Sequence, residues 1–149
     1  SLNTTAAKAD TNWWQAIDSA SAFSVRSGNF LTNTAGETYI AYLFATVAGI
    51  SKVGSYTGTA ADLNVDCGFS AGARFVLIKR TDSTGDWYVW DSVRGIVAGN
   101  DPYLLLNDTA AEVTNTDYID PLASGFTVTS SAPAGLNASS GTYIFYAIA

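Results

Sequence analysis

The 149 residues carry 13 acidic and 7 basic side chains, a formal net charge of -6 with no basic run, which argues against a nucleic-acid partner. Hydrophobic residues make up 48% and charged residues only 13%, about half the usual charged share, so the chain can bury a sizeable core and is not a solvated, disordered polymer. It has no histidine and one cysteine, which removes the commonest general base and metal ligand and leaves no internal disulfide.

Taken in order, the chain reads as a series of short strands. A short helix is expected over Asn12 to Ser19, a stretch that includes Trp13 and Trp14, and Phe23 to Arg26 is a short strand candidate. Gly28 to Glu37 is a loop. Thr38 to Thr46 is β-branched and aromatic on both faces, the pattern of a strand buried on both sides. The longest apolar stretch, Tyr39 to Ile50, is too short to cross a bilayer, so no membrane span is expected. Neither an initiating Met nor a signal peptide heads the sequence, and a processed or trimmed product is the expectation.

Lys52 to Thr57 alternates as a half-exposed strand should, and Leu63 to Phe69 follows as a second strand. Within it Cys67 reads as a small buried hydrophobe. Arg74 to Arg80 and Asp86 to Asp91 are two hydrophobic strands joined by Thr81 to Gly85, a β-hairpin in which Gly85 would take positive φ. Asp101-Pro102 turns the chain into Tyr103 to Asn107. A polar stretch through Asp120-Pro121, a strand at Gly125 to Ser130, a Ser, Ala, Pro and Gly loop and a last strand at Thr142 to Ala149 complete it. Short strands with turn signals and no long amphipathic helix predict an all-β fold, an antiparallel β-sandwich or jelly roll.

The chain also repeats itself. Tyr39 to Ala45 (YIAYLFA) is nearly copied by Tyr143 to Ala149 (YIFYAIA), LNTTAA at Leu2 answers LNDTAA at Leu106, and Phe23-Ser24-Val25 answers Phe126-Thr127-Val128, at an offset of about 104 residues. A segment of about 45 residues therefore occurs at both ends, dividing the chain into an N-terminal half-repeat, 1–46, and a sandwich unit, 47–149. The repeat is either a duplication or array piece, or an assembly element that adds a surface for a neighbouring subunit. Trp13-Trp14 stands where the second copy has Asp117-Tyr118, an asymmetry that suits an interface anchor. The assembly candidates are Trp13, Trp14, Phe23, Tyr39, Tyr42 and Phe44.

An active site is hard to assemble from these residues. Most aspartates sit in turn contexts, Asp86 and Asp91 fall on opposite faces of one strand rather than across a cleft, and no nucleophile or phosphate-binding motif is present, so no enzyme and no cofactor are expected. Asp82-Ser83-Thr84-Gly85-Asp86 places oxygen ligands around a glycine as calcium loops do, but it lacks the later bidentate Glu and suits a plain hairpin loop equally. Trp87, Tyr88 and Trp90, with Asp91, Arg94 and Asn100 nearby, are either core or a sugar-stacking surface. Asn3, Asn107 and Asn137 match the N-glycosylation pattern.

The phrase ARFVLIKRTDSTGDWYVWDSVRG (Ala73 to Gly95), the SGFTVTS run (Ser124 to Ser130) and the SSGTYIFYAIA ending (Ser139 to Ala149) resemble an uncharacterised structural domain of tailed bacteriophages that recurs near tail-fibre proteins. The GETYIAYLFA ending of the first half-repeat looks like the same motif. The resemblance implies a lectin-like β-sandwich without enzymatic activity, extracellular or in a virion. The expected function is a structural subunit that self-associates through strand edges and its N-terminal half-repeat; the alternative is a host-surface glycan-binding module.

Overall fold

A computed structural model describes residues 2–9, 22–25 and 32–149, and the chain divides into two compact units, one of Ser1–Lys8 with Phe44–Ala149 and one of Ala9–Leu43. The larger unit holds eight strands and one short helix: β1 (Ser51–Thr57), β2 (Leu63–Asp66), β3 (Phe75–Arg80), β4 (Trp87–Asp91), β5 (Leu104–Leu105), β6 (Ile119–Leu122), β7 (Gly125–Val128), α1 (Ala134–Asn137) and β8 (Thr142–Ile148). They form two antiparallel sheets, a five-stranded one ordered β1-β8-β3-β4-β5 and a three-stranded one ordered β2-β7-β6. The expected all-β, sandwich-like fold is present.

The pairing of first with last strand and of β2 with β7 is the wrap that a jelly roll would begin with. However, β3 and β4 are hairpin neighbours within one sheet, so the chain does not cross between sheets at every step. The predicted hairpin register runs from Phe75 opposite Asp91 to Lys79 opposite Trp87. Gly85 is not at positive φ. Its requirement is space, since a Cβ there would lie 3.1 Å from the Cβ of Arg80. The loop is also held from outside, where Gly85 N–H donates to the Thr5 carbonyl and Lys8 N–H to that of Thr81. These bonds place the first residues with the larger unit.

The core lies between the sheets. Val76, Ile78 and Trp90 project from the larger sheet toward Ile119, Phe126 and Val128 of the smaller one, and all six are fully buried. The Phe126 and Phe145 rings meet edge to face across this gap at 5.5 Å. Pro121, expected in a polar turn, sits in β6, which is tolerated because β6 is an edge strand where a missing N–H breaks no inner ladder. The predicted strand at Tyr103 to Asn107 shortens to the two residues of β5, and that at Leu63 to Phe69 ends at Asp66, followed by Gly68 at φ 71°.

The largest departure is Thr38 to Thr46. This stretch forms no strand, and Ile40, Tyr42 and Leu43 are 82%, 70% and 73% exposed. Its near copy, β8, is an inner strand of the larger sheet, between β1 and β3. Local pattern reports strand competence, and it cannot say which of two competent copies takes the sheet position. Ala22 and Val25 make isolated bridges rather than a strand, with Phe23 half-buried beside them. The helix expected over Asn12 to Ser19, with Trp13 and Trp14, lies outside the described residues.

Candidate functional site

The chemistry of β8 explains what its copy is equipped to do. Alternation turns Tyr143, Phe145 and Ala147 inward, and all three are buried, while Thr142 and Ile144 point outward and are exposed. The Tyr143 hydroxyl donates to the Ala134 carbonyl at 2.7 Å and accepts from the Ala138 N–H at 2.8 Å, tying the strand to α1. Tyr56 of β1 stacks on Tyr143 at 4.8 Å and donates its hydroxyl to the Leu136 carbonyl. Burial pushes both phenols above their usual range. Phe145 lies over Gly54, where an added Cβ would come within 2.6 Å of the ring, so the β1–β8 pair depends on glycine at that position.

β1 is also the outer strand of its sheet, and its far edge is only half covered. Ala149 N–H donates to the Ile50 carbonyl and Gly58 N–H to that of Gly141, which fixes the ladder's phase. Lys52, Gly54 and Tyr56 therefore direct their main-chain groups to β8, and Ser51, Val53, Ser55 and Thr57 direct theirs outward. Ser51 exchanges both bonds with Val47, and Val53 N–H donates to the Thr46 hydroxyl at 3.1 Å. Ser55 and Thr57 remain at the open edge. On the smaller sheet the same reasoning applies to β2, where Cys67 N–H donates to the Ser124 carbonyl, so Asn64 and Asp66 present their main chain outward. A groove between these two edges is lined by Val53, Gly54, Ser55, Asn64, Asp66 and Phe145.

The residues expected to mediate assembly distribute as follows. Tyr39, Tyr42 and Phe44 are 49%, 70% and 50% exposed, Phe23 is half-buried, and Trp13 and Trp14 lie outside the described residues. Phe44 packs its ring on Tyr146 at 4.6 Å, and Tyr39 accepts the Thr34 N–H at its hydroxyl.

The aromatic pair Tyr88 and Trp90 proves to be core rather than a sugar-stacking surface. Trp90 is fully buried, and Tyr88 stacks on it at 5.7 Å within a cluster that includes Tyr103 and Tyr118. Trp87 faces the other side and is half-buried, with the buried Lys79 ammonium 6.0 Å from its ring. Burial lowers the pKa of that lysine, and the Asp86 charge opposes the shift. Asp91 caps the following turn, accepting from the Val93 and Arg94 N–H groups and from the Arg94 guanidinium, which also reaches Glu112 at 3.5 Å. Asn100 is exposed and accepts the Asn115 N–H. These polar groups serve turns and do not converge on an exposed ring.

Asp82 does not form a calcium loop with Asp86. Its carboxylate takes two bonds from Arg80, at 3.0 and 3.1 Å, and one from the Thr142 N–H, and the Arg80 bonds foremost hold it at about 2. Asp86 instead accepts the side-chain amide of Asn107. Among the described residues, no group of three acidic or cysteine side chains could hold a metal. Of the glycosylation-pattern residues, Asn3 is exposed and Asn107 is tied by both ends of its amide to Asp86 and the Trp87 N–H. Asn137 is 2% exposed, and its amide donates to the Ala61 and Thr129 carbonyls, so the folded chain offers no access for a sugar there.

One group escaped the sequence reading. Asp101, expected only as a turn residue, is fully buried and accepts the Trp90 indole N–H at 2.9 Å and the Tyr118 and Ile119 N–H groups at 2.8 and 3.1 Å. It joins β4 of one sheet to the start of β6 of the other. Burial pushes its carboxyl up to about 6, against the pull of these three donors.

No curated protein and no solved structure matches the chain. The family model described as "Domain of unknown function (DUF7483)" matches residues 1–149, its whole length. By this match the chain belongs to the DUF7483 family.

Proposed function

We propose that this chain is a non-enzymatic structural subunit of an extracellular fibre or phage-type appendage, self-associating through strand edges and its N-terminal half-repeat. The observation that carries the reading is the contrast between two near copies of one heptapeptide. Tyr143 to Ala149 supplies an inner strand of the larger sheet, whereas Tyr39 to Ala45 is apolar and exposed, without a ladder of its own among the described residues. Exposed strand-competent chain and an open sheet edge are each a template for pairing with another molecule. Burying side chains such as Tyr42, Leu43 and Phe44 contributes roughly 1.5–3 kcal/mol each, enough to drive association when several are covered together. The resemblance to a tail-associated bacteriophage domain supports a virion or extracellular setting. The glycan-binding alternative has less support, because the two most promising rings are core.

The test is a sedimentation series on the wild-type chain and on Ile40→Lys/Leu43→Lys. The wild type is expected to grow in mass with concentration, and the variant to remain a single subunit with an unchanged melting temperature. A variant that associates like the wild type removes the half-repeat from the assembly.

A further inference from the structure

We propose that the open side of the sandwich, between the edges of β1 and β2, receives the Tyr39–Ala45 segment of a second copy as an added strand. The inference rests on the self-association reading and specifies its acceptor. Both edges present main-chain donors and acceptors there, Ser55 and Thr57 from β1 and Asn64 and Asp66 from β2. The groove between them has Phe145 at Gly54 as its apolar floor. Val53, Tyr56 and Val65 add apolar surface to it, and Ser55 and Asn64 polar groups.

The choice of a second copy follows from three observations. First, the segment repeats the alternation of β8, and a strand of that make-up already pairs with β1 in antiparallel register in this molecule. Second, the segment carries no charge, which suits a groove rimmed by one basic and one acidic side chain, Lys52 and Asp66. Third, the chain's own Thr46 and Val47 already occupy the edge at Val53 and Ser51. They leave Ser55 and Thr57 for an incoming strand and stop it from sliding further along β1. Main-chain bonds would then give affinity, and alternate side chains specificity, as in strand addition generally.

The site is tested by mixing copies that carry Leu43→Cys with copies that carry Ser55→Cys under mild oxidation. Opposed residues of paired strands lie within disulfide reach, so a mixed dimer should form at least about tenfold faster than with Val93→Cys, an exposed control. The native Cys67 does not compete, because it is buried and its thiol is pushed up to about 11, mainly by that burial. Ser55→Pro gives a second reading. It deletes an edge N–H that β8 does not use, so it should weaken association about tenfold while leaving the melting temperature in place. Association that persists with Ser55→Pro, or crosslinking no faster than the Val93→Cys control, overturns this site while leaving self-association standing. Wild-type protein that stays a single subunit at every concentration overturns the assembly reading, and the site with it.

Discussion

At the scale of single residues, Asp101 bonds across the two sheets. Its three N–H donors need two acceptor oxygens, and Asp101→Asn would supply one while pointing an amide at donors. That change should cost about 2–3 kcal/mol in urea unfolding, with the native topology retained. The pH dependence has a defined sign. A carboxyl whose folded value stands near 6, above its ordinary 3.8, binds more protons in the native state between those values. Its contribution is therefore complete below pH 4 and is lost as pH rises through 6, by up to about 3 kcal/mol. Stability measured from pH 4 to 7 should fall by that order in the wild type and stay flatter in Asp101→Asn; a rise over that window in the wild type would contradict the assignment. Gly54 is the second such residue. Gly54→Ala meets the Phe145 ring and should cost about 1–3 kcal/mol, and Phe145→Leu in the same chain should recover part of the loss.

At the scale of elements, β8 acts as the keystone, paired with β1 on one side and β3 on the other and tied to α1 by one phenol. Tyr143→Phe removes a donor and an acceptor from partly buried main chain and should cost about 1 kcal/mol, with faster amide exchange confined to Ala134–Ala138 as its signature. The strands most legible in the sequence are those whose pattern and punctuation agree. The β3–β4 hairpin and β1 fall where alternation and turn residues place them. β5 and β6 were hard to read, because two residues carry no period and a Pro looks like a turn whether or not it sits on a sheet edge. The role of Asp101 was illegible for another reason: Asp-Pro is an ordinary turn signal, and only the fold brings Trp90, Tyr118 and Ile119 around that carboxylate.

At the scale of the whole molecule, the repeat was plain in the sequence but its meaning was not. Nearly identical patterns predict like strands, whereas the fold uses one copy as an inner strand and leaves the other as exposed chain. The groove that would accept such a chain was also invisible beforehand, since it is made from the edges of β1 and β2, which belong to different sheets. Whether the exposed copy drives self-association is tested most directly by negative-stain electron microscopy of the native protein with its mass measured in solution. Regular filaments are expected, with their growth lost in Ile40→Lys/Leu43→Lys. Discrete monomers or small closed oligomers at every concentration would contradict it.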